Sequence, residues 1–242
     1  MRNHKLILAY DGTDFCGWQR QPEARTVQGE LENVLSRITR QKVSIMGAGR
    51  TDAGVHARRQ AAHFRTDTRL PLGELFRASN ALLPPDIRIL SLTGAPDSFH
   101  ALRSARSKTY EYRIWNARPI SPFRVRYVLH WPYPLDVSRM EEAARLFERE
   151  ADFSAFSSNR LLQPVRRVYR SQIKKRGSEI IYTVEADGFL RYMVRTMVGT
   201  LIEVGRGKML PSGVEEIFRR NDRSLAGSTA PPQGLSLVKV NY

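Results

Sequence analysis

The sequence predicts an α+β protein built from two similar sheet-plus-helix halves, residues 1–104 and 105–242. Short apolar segments typical of strands alternate with amphipathic segments typical of helices, and each half begins with a strand followed by a helix. Between residues 98 and 106 the sequence becomes loop-like and basic, which places the boundary there. A chain of 242 residues is long enough for one large domain or two small ones.

The first half contains two predicted helices among several strands. One helix begins at Val27, with Thr26 as its N-cap and Glu30 in its first turn. The other covers residues 72–83 and ends because prolines follow it. Apolar runs bounded by turn residues predict strands over residues 5–10, 43–46, 61–64 and 87–92.

The second half opens on a predicted strand over residues 108–115, in which Tyr110 and Tyr112 share one face. Residues 176–178 have the composition of a hairpin turn. Further strands are predicted over residues 171–175, 180–186 and 235–240.

Three helices are predicted in the second half. Ser138 and Glu141 have the spacing of a capping box, and Ser212 and Glu215 repeat that spacing before the last helix. Between them, residues 190–201 form a continuous apolar stripe at helical spacing.

The apolar stripe also predicts where the residues between its apolar positions lie on the helix. At about 100° per residue, Arg191 and Arg195 fall on its flank, and Gly199 continues the same side without bulk. An arginine at the edge of a buried face is well placed to meet a carboxylate, and an ordinary solvated surface is the alternative.

A polar loop is predicted between the strands at 43–46 and 61–64, where residues 47–57 read GAGRTDAGVHA. Its glycines at positions 47, 49 and 54 would let the backbone approach a ligand around Arg50 and Asp52. A dinucleotide fingerprint needs a glycine where Asp52 stands, and a phosphate-binding P-loop needs a lysine before Ser or Thr. Taken alone, an Asp in a glycine-containing turn is more often an Asx-turn residue than a catalytic one.

The charge predicts a polyanionic partner, because Lys and Arg total 39 against 24 Asp and Glu, a net charge of +15. Arginine predominates, which suits bidentate phosphate contacts, although a GC-rich genome would give the same bias. The arginines after residue 159 could form a phosphate track or a solvated face: Arg160, Arg166, Arg167 and Arg170.

Metal and membrane classes are not expected. Cys16 is the single cysteine, which excludes an internal disulfide and fits the cytoplasm. The five histidines are scattered, and we interpret His56 and His63 as packed or hydrogen-bonded residues. No apolar run approaches the ~18 residues of a membrane span.

Phe15 and Trp18 are expected to pack under the sheet, with nucleic acid as the alternative partner.

Several of these stretches resemble the tRNA pseudouridine synthase A family. The most specific is GRTDAGVHA within the loop, and MVRTMVGTLI at residues 193–202 supports it independently. Other matching stretches run through nearly the whole chain in family order: residues 10–21, 27–35, 80–87, 108–114 and 231–237. The resemblance implies an isomerase whose two halves form a central antiparallel sheet with a cleft between them.

By position, the resemblance makes Asp52 the essential carboxylate and Tyr110 the aromatic residue that packs against the target base. It makes Arg195 the ionic partner of Asp52, and Arg50 the residue that holds the nucleotide out of its stack. Where the family often reads HARFSA, this chain has HALRSA at residues 100–105, so the basic contact expected at Leu102 is either missing or displaced by one residue to Arg103. Arg191 is a further expected RNA contact.

The resemblance also implies the reaction and its partners. Uridines at positions 38, 39 and 40 of the tRNA anticodon stem-loop would be isomerised by a homodimer that needs no metal or small-molecule cofactor. An ionised carboxylate could attack C1′ as a nucleophile or remove a proton from C2′ as a base. A non-catalytic RNA-binding protein and a synthase acting on ribosomal RNA are the rival readings.

Overall fold

The computed structural model describes residues 1–158 and 163–242, which divide into two compact units. Unit 1 contains residues 1–106 and 236–242, and unit 2 contains residues 107–235. The division into residues 1–104 and 105–242 stays a prediction. By its contacts, the end of the chain belongs with the first unit.

Unit 1 is a mainly antiparallel sheet with two helices. Its elements are β1 (Arg2–Tyr10), α1 (Val27–Thr39), β2 (Ile45–Gly47), β3 (His56–Thr66), α2 (Leu72–Leu82), β4 (Ile87–Ala95) and β10 (Leu235–Asn241). Strand β1 lies between β4 and β3 and is antiparallel to both. One edge of β3 is covered by β10, which is parallel to it, and by β2, which is antiparallel.

Unit 2 is also built on an antiparallel sheet. Its elements are β5 (Ser107–Trp115), β6 (Leu129–His130), α3 (Val137–Arg145), β7 (Glu150–Asp152), β8 (Val165–Arg176), β9 (Glu179–Ala186), α4 (Met193–Gly205) and α5 (Gly213–Arg220). The strand order is β5-β9-β8-β7, and β6 pairs with the end of β5. The hairpin predicted at residues 176–178 is confirmed, with Gly177 at φ +57° between β8 and β9.

The α+β class is confirmed, and each unit has its own core. In unit 1, Leu6, Leu8 and Phe64 of the sheet are buried together with the apolar face of α1. In unit 2, the buried residues include Tyr112 and Tyr182 of the sheet and the stripe of α4. No helix in the described residues has the length and apolar character to cross a bilayer.

The N-cap of α1 is as predicted, because Thr26 Oγ1 accepts the Gly29 N–H at 3.3 Å. Both capping boxes in the second half are wrong. Asp136 caps α3 by accepting the Arg139 N–H at 3.1 Å, so Ser138 lies inside the first turn. Ser212 precedes α5 without a side-chain cap, since Glu215 is held by Arg149 instead.

The helix predicted from the apolar stripe at residues 190–201 starts too early in the chain. Helix α4 begins at Met193, because Tyr192 adopts a left-handed conformation at φ 63°. Leu190 and Arg191 therefore precede the helix, and the placement of Arg191 on its flank is wrong. Arg195 does lie in the first turn of α4.

His4 of β1 is a buried histidine from which we predict a loss of stability in acid. Its ring is 3% exposed and stacks on Phe64 at 5.2 Å, and neither ring nitrogen has a hydrogen-bond partner in the described residues. Burial lowers the pKa of His4, and Arg2 lowers it further. The unfolded chain therefore takes up this proton first as the pH falls through the ordinary histidine pKa of about 6.5.

We expect the free energy of unfolding to fall between pH 7.5 and 5.5, and to fall less in His4→Phe than in the wild type. Urea unfolding at both pH values measures this difference. Some dependence remains in the variant because burial also lowers the pKa of His63. Equal losses in the two proteins would contradict the assignment to His4.

Candidate active site

The loop at residues 48–55 connects β2 to β3 and carries Asp52. Its first residue, Ala48, donates its N–H to the Ala61 carbonyl at 2.8 Å. Residues 52–55 form a tight turn, in which the Val55 N–H donates to the Asp52 carbonyl at 3.1 Å and Gly54 has φ +76°. The half-buried Asp52 side chain is thus displayed from a turn with defined backbone geometry.

Three hydrogen bonds hold the residues just before Asp52. Tyr10 and Thr51 share a hydrogen bond of 2.8 Å between their hydroxyls, and the Trp18 N–H donates to the Thr51 carbonyl at 3.0 Å. Gln60 Nε2 donates to the Gly49 carbonyl at 2.9 Å. Because these partners lie on β1, β3 and the loop after β1, the sheet determines where Asp52 stands.

Tyr10 serves this scaffold as a neutral hydroxyl. Burial raises its pKa to about 12, against the smaller opposing effect of its hydrogen bonds to Thr51 and Gln60. Its hydroxyl therefore stays protonated at neutral pH. The sequence analysis did not predict this support. The roles of Tyr10 and Gln60 become visible only when the strands are paired and both side chains face the loop.

The loop after β1 packs directly against the Asp52 loop. A Cβ on Gly12 would lie 2.5 Å from the Val55 carbonyl carbon, and one on Gly17 would lie 2.7 Å from the Thr51 oxygen. Phe15 and Trp18 are buried in the same region, which confirms their predicted packing. The Trp18 ring occupies the space beside Gly47, so that glycine serves internal packing and the expected ligand approach there is wrong.

The two predicted RNA-contact residues of unit 1 are both exposed. Arg50 stands on the same loop as Asp52, two residues before it. Arg103 lies in a turn where its N–H donates to His100 Nδ1 at 3.2 Å. Leu102 beside it is exposed as well.

In unit 2, Tyr110 of β5 is buried and makes an edge-to-face contact with Phe189 at 5.0 Å. Tyr112 shares its face of the strand, as predicted, and donates its hydroxyl to the Pro231 carbonyl at 2.8 Å. Burial raises the pKa of Tyr112, and the positive charge of Arg195 opposes that shift. Phe189 is a site residue that sequence analysis did not single out.

Arg195 is tied to the segment that precedes β10. Its Nε donates to the Ala230 carbonyl at 2.7 Å, and the Ala230 N–H donates back to the Arg195 carbonyl at 3.0 Å. The same segment crosses α4 at Gly199, where a Cβ would lie 2.9 Å from the Ser228 carbonyl carbon. Gly199, predicted to continue the flank without bulk, therefore accommodates a crossing backbone.

The structure brings Arg191 and Arg195 together on Tyr192. Their guanidinium carbons lie 4.8 and 4.9 Å from the centre of the Tyr192 ring, within cation–π range. Arg191 Nη2 also donates to the Tyr192 hydroxyl at 3.1 Å. The pairing of Asp52 with Arg195, which joins residues of different units, stays a prediction.

The basic stretch around β8 is mixed in character. Arg167 and Arg170 are exposed, whereas Arg166 is half-buried. Arg160 lies outside the described residues.

Over residues 1–158 and 163–242, no cluster of three or more His, Cys, Asp or Glu could hold a metal ion.

A family model described as tRNA pseudouridine synthase matches residues 6–103 and 143–242. A tRNA pseudouridine synthase A from Thermodesulfovibrio yellowstonii is 42% identical over 254 residues, with both chains covered completely. Proteins of the same name from Brevibacillus brevis and Geobacillus kaustophilus are 43% and 44% identical over 244 and 241 residues. The former match covers both chains completely, and the latter covers 98% of this chain and 93% of the relative.

A more distant likeness is found among solved structures. A chain in the crystal structure of the archaeal box H/ACA sRNP Nop10-Cbf5 complex aligns with a TM-score of 0.41 and 12% identity. The alignment covers 97% of this chain and 48% of the other. The family assignment rests on the sequence matches, which confirm the resemblance read from the motifs. The chain therefore belongs to the tRNA pseudouridine synthase family, whose enzymes are isomerases that convert uridine in tRNA to pseudouridine.

Proposed function

We propose that this chain isomerises uridine to pseudouridine at positions 38, 39 and 40 of the tRNA anticodon stem-loop. The observation that carries the proposal is the family-specific loop, which displays Asp52 from a turn supported by Tyr10, Trp18 and Gln60. A non-catalytic RNA-binding protein has no use for a carboxylate held in this way among basic residues.

The reaction breaks the bond between uracil N1 and C1′, turns the base and forms a bond from C5 to C1′. The proton leaves C5 and N1 gains one, so composition and oxidation state are unchanged. Asp52 acts as nucleophile at C1′ or as base at C2′. Neither route calls for a metal or a redox cofactor.

The remaining residues serve binding and electrostatics. Tyr110 packs against the target base, with its ring oriented by Phe189, and its hydroxyl is a candidate to accept the C5 proton. Arg50 offsets the cost of removing the nucleotide from its stack, which is on the order of a few kcal/mol. Arg195 keeps Asp52 ionised, while Arg103 and Arg191 contact RNA phosphates.

The partners follow from the same proposal. A net charge of +15 favours tRNA, whose fold is recognised through a broad basic surface. The active form is proposed to be a cytoplasmic homodimer in which both copies contact one tRNA.

The proposal is tested with unmodified bulk tRNA that carries tritium at C5 of uridine. Isomerisation at C5 releases tritium to water, so release by the purified protein is the expected result, and its absence would refute the assigned activity. Pseudouridine mapping in a deletion strain then identifies the RNA. Loss at tRNA positions 38–40 supports the proposal, and loss only in ribosomal RNA supports the rival synthase.

Arg195→Lys is expected to lower the rate of tritium release about tenfold or more. Lysine keeps the charge but cannot make the Nε bond to Ala230 or the planar stack on Tyr192, and a charge-assisted hydrogen bond contributes about 1.5–3 kcal/mol. Single-turnover release at saturating enzyme measures the effect. Arg191→Lys is the matched control on the same ring, and similar losses in both variants would argue against a special role for Arg195.

A further inference from the structure

Lys108 is a buried lysine on the same strand face as Tyr110. It lies two residues before Tyr110 on β5, opposite Ala186 of β9, and only 8% of its surface is exposed. Side chains two apart on a strand point to the same side of the sheet. Lys108 therefore borders the place where Tyr110 meets Phe189.

The small exposed fraction of Lys108 belongs to the whole residue, and no carboxylate pairs with its ammonium group among the ion pairs of residues 1–158 and 163–242. Burial lowers the pKa of Lys108, and the positive charge of Arg166 lowers it further, whereas Asp187 opposes the shift. Asp187 accepts the Arg167 N–H through Oδ1 at 3.1 Å, so part of its carboxylate is used on the backbone. A lysine that is mostly enclosed by protein, beside a second cation, favours an anionic ligand that offsets the desolvation of its charge.

The surroundings suit an anion. Arg166 donates through Nη1 to the Gln163 and Val165 carbonyls at 2.8 and 2.6 Å, which anchors its guanidinium. It stands two residues before Val168, and Val168 pairs with Ala186 on the side of β9 opposite to Lys108. The Nε of Arg166 lies 3.3 Å from the position of a Cβ on Gly188, so this glycine leaves room beside the guanidinium. Two cations and one carboxylate leave a net positive charge at the end of β9.

We propose that Lys108 and Arg166 bind a backbone phosphate of the RNA substrate next to the nucleotide that packs on Tyr110. The proposal rests on the function proposed above, and it adds a specific anchor to the general basic surface. A phosphate at this point offsets the positive charge of both residues and sets the register of the RNA strand against Tyr110. Phosphate contacts position a nucleic acid without reading its sequence.

The first test is the salt dependence of tRNA binding. Each phosphate contact contributes about 0.7–0.9 to the slope of log Kd against log salt concentration. Lys108→Met should reduce the slope by about that amount relative to the wild type. Lys175→Met is the matched control, because Lys175 is exposed at the opposite end of β8 and the charge change is identical.

An unchanged slope in Lys108→Met, or an equal reduction in Lys175→Met, would overturn the proposal. The measurement needs no turnover, so it is independent of tritium release. A wild type that binds tRNA with the predicted Lys108 contribution but releases no tritium would refute the proposed activity and leave the phosphate site standing.

The second test uses the unmodified protein and so does not depend on how a variant folds. Lysines are acetylated with and without bound tRNA, and the extent at Lys108 is read by mass spectrometry. Protection of Lys108 by tRNA, with weaker protection by inorganic phosphate alone, is the expected result. Protection by inorganic phosphate without protection by tRNA assigns the site to a free anion and overturns the proposal, as does no protection by either.

Discussion

Asp52→Asn is expected to lower tritium release from labelled tRNA by about 10⁴-fold or more while tRNA binding is retained. The amide has the shape of the carboxylate but can serve neither as nucleophile at C1′ nor as base at C2′. The hydrogen bonds of Tyr10 to Thr51, of Gln60 to Gly49 and of the Val55 N–H to the Asp52 backbone carbonyl can all form in the variant, so we expect the loop to keep its conformation. Single-turnover assays and filter binding measure the two quantities separately.

Asp97→Asn is the matched control for this change. Asp97 is exposed and belongs to the same unit, and its substitution alters the net charge by the same amount. It should leave tritium release within about twofold of the wild type, well under 1 kcal/mol. If Asp52→Asn releases tritium at a rate comparable to that of Asp97→Asn, the catalytic role of Asp52 is wrong and the interpretation as a non-catalytic RNA-binding protein is favoured.

Gly12→Ala is expected to destabilise unit 1 by about 3 kcal/mol or more and to reduce activity with it. The new methyl group would lie 2.5 Å from the Val55 carbonyl carbon and nearer still to its oxygen. Both are backbone atoms of the Asp52 loop, so neither can move aside as a side-chain end could. Denaturant unfolding measures the loss, and tritium release reports the displacement of the loop.

Gly94→Ala is the control for the loss of a glycine. Nothing lies within 4 Å of a Cβ on Gly94, and its φ is not in the left-handed region. That variant should unfold within about 0.5 kcal/mol of the wild type. A Gly12→Ala protein as stable and active as Gly94→Ala would show that the contact between the two loops does not position Asp52.

Much of the fold could be read from hydrophobic periodicity. The N-cap at Thr26, the end of α2 before the prolines and the hairpin at Gly177 depend on neighbouring residues alone, and these predictions are confirmed. The capping boxes predicted at Ser138 and Ser212 are wrong, because other residues of the chain can compete for the groups that form a cap. Asp136 is nearer the helix start, and Arg149, distant in sequence, takes Glu215.

The candidate site divides in the same manner. The residues proposed to carry the chemistry, Asp52, Tyr110 and Arg195, were predicted from motif letters, because a family's reaction restricts residue type at such positions. The residues that hold them were not found. Gln60 and Phe189 acquire a role only when sheet pairing and a turn bring them beside a loop or a ring.

By itself, the sequence determined the α+β class, the basic charge that favours RNA, the family and the identity of its motif residues. Each is a property of composition, local spacing or residue type, which a linear chain expresses directly. Only the tertiary structure decided that Gly12 abuts Val55, that Tyr192 precedes α4 and contacts two arginines, and that Lys108 is buried opposite Ala186 of β9. These are contacts between segments distant in sequence or unusual backbone angles, and close packing alone selects among the many arrangements that the same pattern allows.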